Sequence, residues 1–370
     1  MSLNLLDRLS QQYVDELPFV AYRKPQEERV NLLLQNNSEL HHVVDYEESG
    51  FVFAPFNSNE KAILLKNDAY FSEPVFPKQT AGTAMPQRGE EDASTKGIHM
   101  DLVQKGIDEI ATGQLEKVVF SRQVEVQASQ KPIELFQNIL SQYPTAYCYM
   151  WYHPKVGMWL GATPEMLLEV ENRMLRTMSL AGTMKSNGEE EPNWGAKELE
   201  EQRMVTQFIK DSLQGKVAAL TVSETSSSRA GELWHLKTAI SGRLNNESNL
   251  GEIILSLHPT PAVCGLPKLK SKDFILKHEG YHREFYTGFL GELNLVEEVN
   301  RPKRRRNQEH RAYRTIKKRT SLYVNLRCMK MEGKQLTIYV GGGITLDSDP
   351  EKEWKETCDK SRTMLNIVGR

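Results

Sequence analysis

Two segments with helical periodicity carry paired glutamates at a spacing suited to metal binding. Glu198 and Glu201 extend an apolar stripe by one turn, and Glu353 and Glu356 do the same near the C-terminus. Residues three positions apart share a helix face, so each pair presents two carboxylates side by side. Carboxylates gathered in a cleft repel one another unless a hard cation such as Mg²⁺ neutralises them. A solvated helix face is the other interpretation, because Glu is a good helix former.

Lys117 and Glu165 are candidates for acid–base chemistry. Lys117 begins the alternating segment KVVFSRQV, and a lysine shielded from water there can give up its proton and act as a general base. Glu165 follows Pro164, which fixes how the chain enters the next strand, and a buried carboxylic acid at a cleft edge can donate a proton. The alternatives are a strand-end lysine that extends to solvent and an edge-strand glutamate in water.

Arg327 and a glycine triplet are suited to binding a small anion. Arg327 lies in the strand-like segment LYVNLRCMKM, where its guanidinium can bind a carboxylate through two hydrogen bonds or form a structural ion pair. Gly341, Gly342 and Gly343 lack the spacing of a phosphate-binding loop, which excludes that kind of nucleotide site. Consecutive glycines instead let the backbone approach a ligand and offer N–H groups to a carboxylate.

These candidates depend on a framework of strands that come mostly in consecutive runs. The absence of regular βαβ alternation favours an α+β protein built on antiparallel sheets. A segment rich in proline and glycine, 72–95, is predicted to be a loop and is the only candidate linker. The predicted helices are an amphipathic helix at the N-terminus, one capped by Ser94 or Thr95, then 132–141, 196–213, 250–257 and 350–368. The predicted strands are 19–22, 30–34, 51–56, 62–65, 117–126, 146–152, 158–160, 166–170, 174–180, 217–224, 233–244, 286–293, 321–331 and 335–340.

The charge distribution suggests a rival function. The 370 residues carry a formal net charge of −2, but the segment 301–319 holds ten Lys and Arg and one acid. The rest has 37 basic and 48 acidic residues, a net charge of −11. A basic segment with Tyr313 inside it is a possible nucleic-acid site, and a solvated loop or partly helical excursion is the interpretation we favour.

Cysteine usage and hydropathy indicate a cytoplasmic protein. No apolar run is long enough to span a membrane, and the first residues do not have the pattern of a signal peptide. The four cysteines form no CxxC pair, which argues against a zinc site and a disulfide framework. We expect reduced thiols in the cytoplasm, no membrane partner, and a monomer.

The motifs, taken together and in order, resemble those of the chorismate-utilising enzymes. This family includes isochorismate synthase, salicylate synthase, and component I of both anthranilate synthase and aminodeoxychorismate synthase. The resemblance covers residue 97 to the C-terminus, and the first hundred residues share only the general pattern. The motifs are KVVFSR, GATPEMLLE, SLAGTMK, KELEEQRMV, LHPTPAVCGLP, YVNLRC, VGGGI and EWKETCDKSRTML.

The resemblance implies one domain over residues 1–370, with a variable part, 1–96, and a motif-bearing part, 97–370. The implied fold is a large two-sheet antiparallel β-sandwich flanked by helices, in which 72–95 becomes an internal loop. It also implies that chorismate binds with Mg²⁺ at the centre of the sandwich.

The resemblance assigns a role to each candidate residue. Lys117 matches the general base that activates water, and Glu165 matches the acid that protonates the departing hydroxyl. Glu201 and Glu356 match direct Mg²⁺ ligands, whereas Glu198 and Glu353 match carboxylates that act through metal-bound water. The residues that match the substrate-binding set are Gly182, Thr183, His258, Arg327, Gly341, Gly343 and Lys360.

Two positions and one motif separate the members of the family. Enzymes that use ammonia do not place a lysine at the position of Lys117, and aminodeoxychorismate synthases carry a nucleophilic lysine where this chain has Ala181. LHPTPAVCGLP is similar to isochorismate synthases, whereas salicylate synthases depart from HPTPA. We therefore predict a Mg²⁺-dependent isochorismate synthase, an isomerase whose product feeds menaquinone or a catechol siderophore. The alternatives are salicylate synthase, anthranilate synthase component I, and a nucleic-acid-binding protein.

Overall fold

The computed structural model describes residues 4–75, 93–185, 191–230, 233–299 and 315–368. The helices in these ranges are α1 (Leu5–Val14), α2 (Ala93–Ala111), α3 (Pro132–Gln142), α4 (Ala196–Leu213), α5 (Leu250–Leu257), α6 (Lys268–His278) and α7 (Pro350–Val368). The first strands are β1 (Phe19–Arg23), β2 (Arg29–Leu34), β3 (His41–His42), β4 (Gly50–Ala54), β5 (Ile63–Leu65), β6 (Ala69–Pro74), β7 (Lys117–Gln127), β8 (Tyr147–His153), β9 (Gly157–Thr163) and β10 (Met166–Glu171). The remaining strands are β11 (Met174–Lys185), β12 (Val217–Val222), β13 (Ser226–Ala230), β14 (Leu233–Leu244), β15 (Gly265–Leu266), β16 (Phe289–Val299), β17 (Thr315–Val324), β18 (Cys328–Glu332) and β19 (Gln335–Ile344).

The strands form two antiparallel sheets. The first has the order β15-β7-β19-β18-β9-β8-β1-β2-β6. The second has the order β12-β14-β11-β10-β17-β16-β4-β5-β3, and β13 also pairs with β14. Each sheet therefore contains strands from the first hundred residues together with strands from the motif-bearing part. The predicted α+β class with two antiparallel sheets is confirmed.

An aromatic layer lies between the two sheets. Side chains alternate along a strand, so Tyr147, Tyr149 and Trp151 of β8 face this layer, while Cys148 and Met150 face the outer helices. The stacked ring pairs in the layer include Tyr147 with Tyr323 at 4.1 Å and Phe53 with Phe285 at 4.2 Å between centroids. Such pairs add about 0.5–1.5 kcal/mol each beyond the burial of their area.

The outer helices cover different sheets but converge at the glutamates. Helix α7 buries Met364 and Ile367 against the first sheet, and α4 buries Val205 and Ile209 against the second. Their first turns meet, since Lys197 on α4 and Glu353 on α7 form an ion pair. The two glutamate pairs are thus brought to one end of the sandwich.

Several elements differ from the sequence prediction. The predicted strand 321–331 is two strands, because the chain turns at Arg327, which has a φ of 48°. Helix α6 was not predicted, since KLKSKDFILKH has little apolar periodicity. Ser94 and Thr95 lie inside α2 rather than at its cap, and the predicted loop begins only after β6.

Part of the predicted loop and most of the basic segment cannot be compared with the structure. Residues 76–92 and 300–314 lie outside the described residues. Residues 315–319 do not continue a loop or a helical excursion but form the start of β17. None of the described helices is both long enough and apolar enough to cross a membrane.

Candidate active site at the meeting of α4 and α7

One cavity collects most of the candidate residues. It is bounded by both sheets, by the first turns of α4, by the middle of α7, and by the chain that joins β17 to β18. Lys117 and Glu353 contact this lining rather than belonging to it. The predicted residues that line the cavity are Glu165, Gly182, Thr183, Glu198, Glu201, Arg327, Gly341, Gly343, Glu356 and Lys360.

Lys117 and Glu201 form a buried ion pair at the base of the cavity. The lysine side chain is fully buried, and its Nζ lies 2.6 Å from Glu201 Oε1. Burial alone would raise the pKa of Glu201, but Lys117, with Lys360 and Lys197 farther away, holds that pKa below its usual value. Glu201 is therefore a carboxylate at neutral pH.

The position of Gly343 requires glycine, because the backbone approaches this ion pair closely. A Cβ built on Gly343 would lie 2.8 Å from Glu201 Oε1 and 3.0 Å from Lys117 Cε. Gly343 pairs with Val119 in the ladder between β19 and β7, so neither strand can move away without breaking sheet hydrogen bonds. Gly343 thus allows close approach to this ion pair, and the approach of the triplet to a ligand stays a prediction.

Two further lysines form ion pairs with the two glutamates of α7. Lys197 Nζ lies 2.7 Å from Glu353 Oε1, and Lys360 Nζ lies 2.6 Å from Glu356 Oε1. Burial, with the Glu356 carboxylate beside it, raises the pKa of Glu353. Burial would lower the pKa of Lys197, but Glu353, Glu356 and Glu201 raise it, in that order of effect. Three of the four glutamates therefore share one electrostatic neighbourhood.

Glu165 is a protonated acid in this environment. It is 3% exposed, and burial raises its pKa to about 8, against the opposing effect of Lys117 and Arg327. Its backbone carbonyl accepts a hydrogen bond of 3.0 Å from the Val324 amide, which ties the start of β10 to β17. At neutral pH the carboxyl holds a proton that it can donate.

Arg327 borders the cavity beside a buried histidine that the sequence analysis did not identify. Its Nη2 lies 2.6 Å from His235 Nε2, and His235 Nδ1 lies 2.9 Å from the carbonyl oxygen of Gly182. Burial lowers the pKa of Arg327 to about 10, so the guanidinium remains charged at neutral pH. Gly182 has a φ of 67°, a backbone conformation that favours glycine.

His258 is placed outside the lining of the cavity. Its Nε2 lies 3.1 Å from the carbonyl oxygen of Pro55, and its ring packs edge-on against Phe289 at 4.9 Å. Burial lowers its pKa to about 3, so the imidazole is neutral. Within the same motif, Ala262 and Val263 reach the cavity instead.

Lys197 and His235 are the main residues that sequence reasoning missed. Lys197 directly precedes Glu198, so its place on the first turn of α4 was available from the helical pattern. His235 lies in a regular strand, 92 positions before Arg327, and only the folded chain brings the two together. Lining residues such as Tyr286 and Thr287 lie just before β16 and carry no motif of their own.

The carboxylates of α4 and α7 are the candidate ligands for a cation. Within the described residues, no three His, Cys, Asp or Glu side chains stand close enough together to hold a metal ion. The acidic side chains around the cavity nevertheless offer only oxygen donors, which magnesium prefers. In the described part of the chain, Glu353 Oε2 is buried without a hydrogen-bond partner, so one acceptor remains available. The residues present fit a hard divalent cation.

Comparison with known proteins relates the chain to one enzyme family. The family model described as chorismate binding enzyme matches residues 57–299, and a second model of that description matches residues 313–366. Isochorismate synthase EntC of Escherichia coli is 30% identical over 270 residues, which are 70% of this chain and 64% of that protein. The chain thus spans less than two thirds of that relative's length.

A second relative and a solved structure agree with this match. Isochorismate synthase MenF of Escherichia coli is 29% identical over 329 residues, covering 85% of this chain and 70% of that protein. The structure of a 2,3-dihydroxybenzoate-specific isochorismate synthase, DhbC, from Bacillus anthracis superposes with a TM-score of 0.76 at 23% identity. The superposition covers 98% of this chain and 99% of that one, so the two share a fold.

Proposed function

We propose that this chain, which belongs to the chorismate-binding enzyme family, is an isochorismate synthase that converts chorismate to isochorismate. The observation that carries the proposal is one cavity that is lined by Glu165, a buried acid with a raised pKa, and contacted by the fully buried Lys117. A hydroxyl-exchange reaction needs one base and one acid of this kind. The names of the relatives support the same assignment.

The reaction moves one hydroxyl group while two protons are transferred. Lys117 acts as the base: after releasing to solvent the proton that it holds in its ion pair with Glu201, it takes a proton from water as the water oxygen bonds to carbon 2 of chorismate. The two ring double bonds shift, and the bond between carbon 4 and its hydroxyl breaks. Glu165 gives its proton to that hydroxyl, which leaves as water. Before this step, the ion pair with Glu201 holds the Lys117 side chain in place.

Cationic side chains and backbone bind the substrate in this proposal. Chorismate is a dianion, and Arg327 and Lys360 present positive charge to the cavity. Lys360 Nζ also lies 2.9 Å from the Gly341 carbonyl oxygen, which fixes the lysine against β19. Binding both carboxylates orients carbon 2 toward the activated water, and orientation of this kind supplies a large part of catalysis.

Mg²⁺ is the proposed cofactor. Glu201 and Glu356 would hold it directly, and Glu198 and Glu353 would hold it through bound water. When bound, the cation offsets the charge of the carboxylates and of the substrate carboxylate near them. The oxygen-only donor set and the buried, unpartnered Glu353 Oε2 support this cofactor.

The proposed compartment is the cytoplasm, and the proposed oligomeric state is a monomer. All four cysteines, each within the described residues, are free thiols, and three of them are buried. Disulfides persist mainly in oxidising compartments, so free thiols support a reducing one. Light scattering coupled to size-exclusion chromatography tests the monomer: a mass near 42.3 kDa supports it, and a multiple contradicts it.

Product identification tests the proposed function. Purified protein is incubated with chorismate and Mg²⁺, and the products are separated by chromatography. Isochorismate supports the proposal. Salicylate with pyruvate as the only products would assign the chain to salicylate synthases, and turnover only in the presence of ammonia would contradict water as the nucleophile.

A further inference from the structure

His235 lies opposite a β-bulge at the edge of the cavity. Strands β11 and β14 pair regularly up to Ala181, which faces Leu236, and resume with Met184, which faces Trp234. Gly182 and Thr183 therefore share one opposing residue, His235. A bulge of this kind disrupts the ladder, so a carbonyl in it needs another hydrogen-bond partner.

The imidazole of His235 joins this bulge to Arg327. Its Nδ1 lies 2.9 Å from the Gly182 carbonyl oxygen and 3.4 Å from Thr183 Oγ1. Its Nε2 lies 2.6 Å from Arg327 Nη2. One ring thus connects strand β11 to the turn between β17 and β18, and both border the same cavity.

The hydrogen-bonding chemistry of the two partners fixes the tautomer and the charge of the His235 imidazole. A guanidinium can only donate hydrogen bonds, so Nε2 must accept and carries no proton. The Gly182 carbonyl can only accept, so Nδ1 must carry the proton. Burial, with the charge of Arg327 next in effect, lowers the pKa of His235 to about 3, which agrees with a neutral ring. A charged imidazolium would set an N–H group against the guanidinium.

We propose that His235 is a positioning residue, which holds the Arg327 guanidinium and the Gly182–Thr183 backbone in fixed relation on two sides of the substrate carboxylate. This inference rests on the proposed function, in which Arg327 and the bulge bind chorismate. His235 does not exchange a proton with the substrate, because both of its ring nitrogens are engaged by the protein. His235 restricts the Arg327 side chain before chorismate binds, so less conformational entropy is lost when the substrate binds.

Two amide variants separate the two hydrogen bonds. In His235→Gln the amide oxygen comes near the position of Nε2 and can accept from Arg327. In His235→Asn the amide nitrogen comes near the position of Nδ1 and can donate to Gly182, but the contact with Arg327 is lost. We expect the Asn variant to raise the KM for chorismate about tenfold, as for loss of one charge-assisted hydrogen bond. The Gln variant should stay within about threefold of wild type, and kcat should change less than KM in both.

A buried histidine away from the cavity provides the matched control. His153 is fully buried, and its Nε2 lies 3.2 Å from the Glu39 carbonyl oxygen. His153→Gln should lower the Tm without changing KM. If His235→Asn and His153→Gln change KM equally, or if His235→Asn binds chorismate as wild type does, the positioning role is wrong.

A measurement on the wild-type protein decides the inference without relying on turnover. Nitrogen-15 NMR of the histidine rings should show His235 as the neutral tautomer protonated at Nδ1 across neutral pH. A ring protonated at Nε2, or a charged ring, would overturn the inference. Absence of isochorismate from the wild-type protein would instead refute the proposed function while leaving the tautomer result intact.

Discussion

Lys117 and Glu201 are 84 positions apart in the chain, yet Nζ and Oε1 lie 2.6 Å from each other at the base of the cavity. The lysine side chain is fully buried and the glutamate side chain is 16% exposed, so little water screens the pair. The backbone of Gly343, in β19, packs closely against both side chains. The lysine is thus held by a carboxylate and by backbone, which restricts a normally flexible side chain to one orientation.

Replacing Lys117 with alanine should abolish water addition while chorismate still binds. Loss of a general base lowers the rate by about 10²–10⁴-fold. Stability should fall as well, because Glu201 loses its buried partner. Steady-state kinetics and calorimetric titration with chorismate measure the two effects separately.

Lys24→Ala is the matched control for this variant. Lys24 forms an ion pair of the same length with Glu292, 2.6 Å, and both side chains are nearly buried, at 10% and 5% exposure. Neither residue lines the cavity. We expect the control to lose stability and keep its turnover, whereas wild-type rates from Lys117→Ala would refute the base assignment.

Replacing Glu165 with glutamine should remove proton donation and leave the shape of the site intact. Burial raises the pKa of Glu165 to about 8, so the wild-type acid is protonated at pH 7 and loses its proton as the pH rises. The wild-type kcat should therefore decline as the pH rises above about 8, where this carboxyl loses its proton. Glu165→Gln should show a rate lower by about 10²-fold or more without this decline. A wild-type profile that keeps rising through that range would count against Glu165 as the acid.

The same raised pKa makes stability depend on pH. Between the ordinary carboxyl pKa of 4.5 and about 8, the folded protein keeps a proton on Glu165 that the unfolded chain releases. The contribution of this group to stability is complete below the lower value and is lost as the pH rises toward the upper one. As the pH rises through this range, the free energy of unfolding measured with denaturant should fall less in Glu165→Gln than in wild type. Parallel curves would contradict the raised pKa.

A single methyl group at Gly343 should disrupt the site. In Gly343→Ala the added Cβ would lie 2.8 Å from Glu201 Oε1 and 3.0 Å from Lys117 Cε, so the ion pair must shift. A displacement of about 1 Å costs on the order of 10² in rate. Gly97→Ala in α2 is the control, since its Cβ meets no atom within 4 Å and alanine favours a helix. Equal activity of the two variants would show that close approach at Gly343 is unimportant.

Magnesium dependence tests the glutamates of α4 and α7. Glu201→Gln and Glu356→Gln should each raise the Mg²⁺ concentration for half-maximal activity by about tenfold or more, since even substitutions outside the ligand set weaken metal binding by 10–100-fold. Glu351→Gln is the control: Glu351 pairs with Lys96 of α2 and does not line the cavity, so this variant should leave that Mg²⁺ concentration unchanged. Direct calorimetric titration with Mg²⁺ measures the affinity of each variant without relying on turnover. Unchanged affinity in Glu201→Gln and Glu356→Gln would refute the ligand assignment.

The sequence predicted the elements with strong periodicity and the residues that begin them. The ranges of α4 and α7 were predicted to the residue, because both helices combine an apolar stripe with a clear start and end. Lys117 was correctly placed at the start of β7, where an alternating apolar segment begins. Short-range pattern alone is sufficient for features of this kind.

The remaining features depend on contacts between distant parts of the chain. The turn at Arg327 interrupts an apolar run without glycine or proline, and Asn325 beside it is held by Tyr149 Oη at 2.6 Å and by the Phe285 carbonyl oxygen at 2.9 Å. The bulge opposite His235 is likewise a property of two paired strands. The pairing of Lys197 with Glu353 requires two helices on different sheets to meet. Periodicity within one segment carries none of this information.

Turnover in oxygen-18 water tests the central claim most directly, because it follows the oxygen atom that Lys117 is proposed to activate. Chorismate, Mg²⁺ and the protein are mixed in labelled water, and the product is analysed by mass spectrometry and carbon-13 NMR early in the reaction. The account predicts isochorismate with the heavy oxygen on carbon 2, and no such product with Lys117→Ala. Isochorismate that carries unlabelled oxygen at carbon 2 would mean that the hydroxyl migrates within the substrate, which would contradict water as the nucleophile and Lys117 as its base.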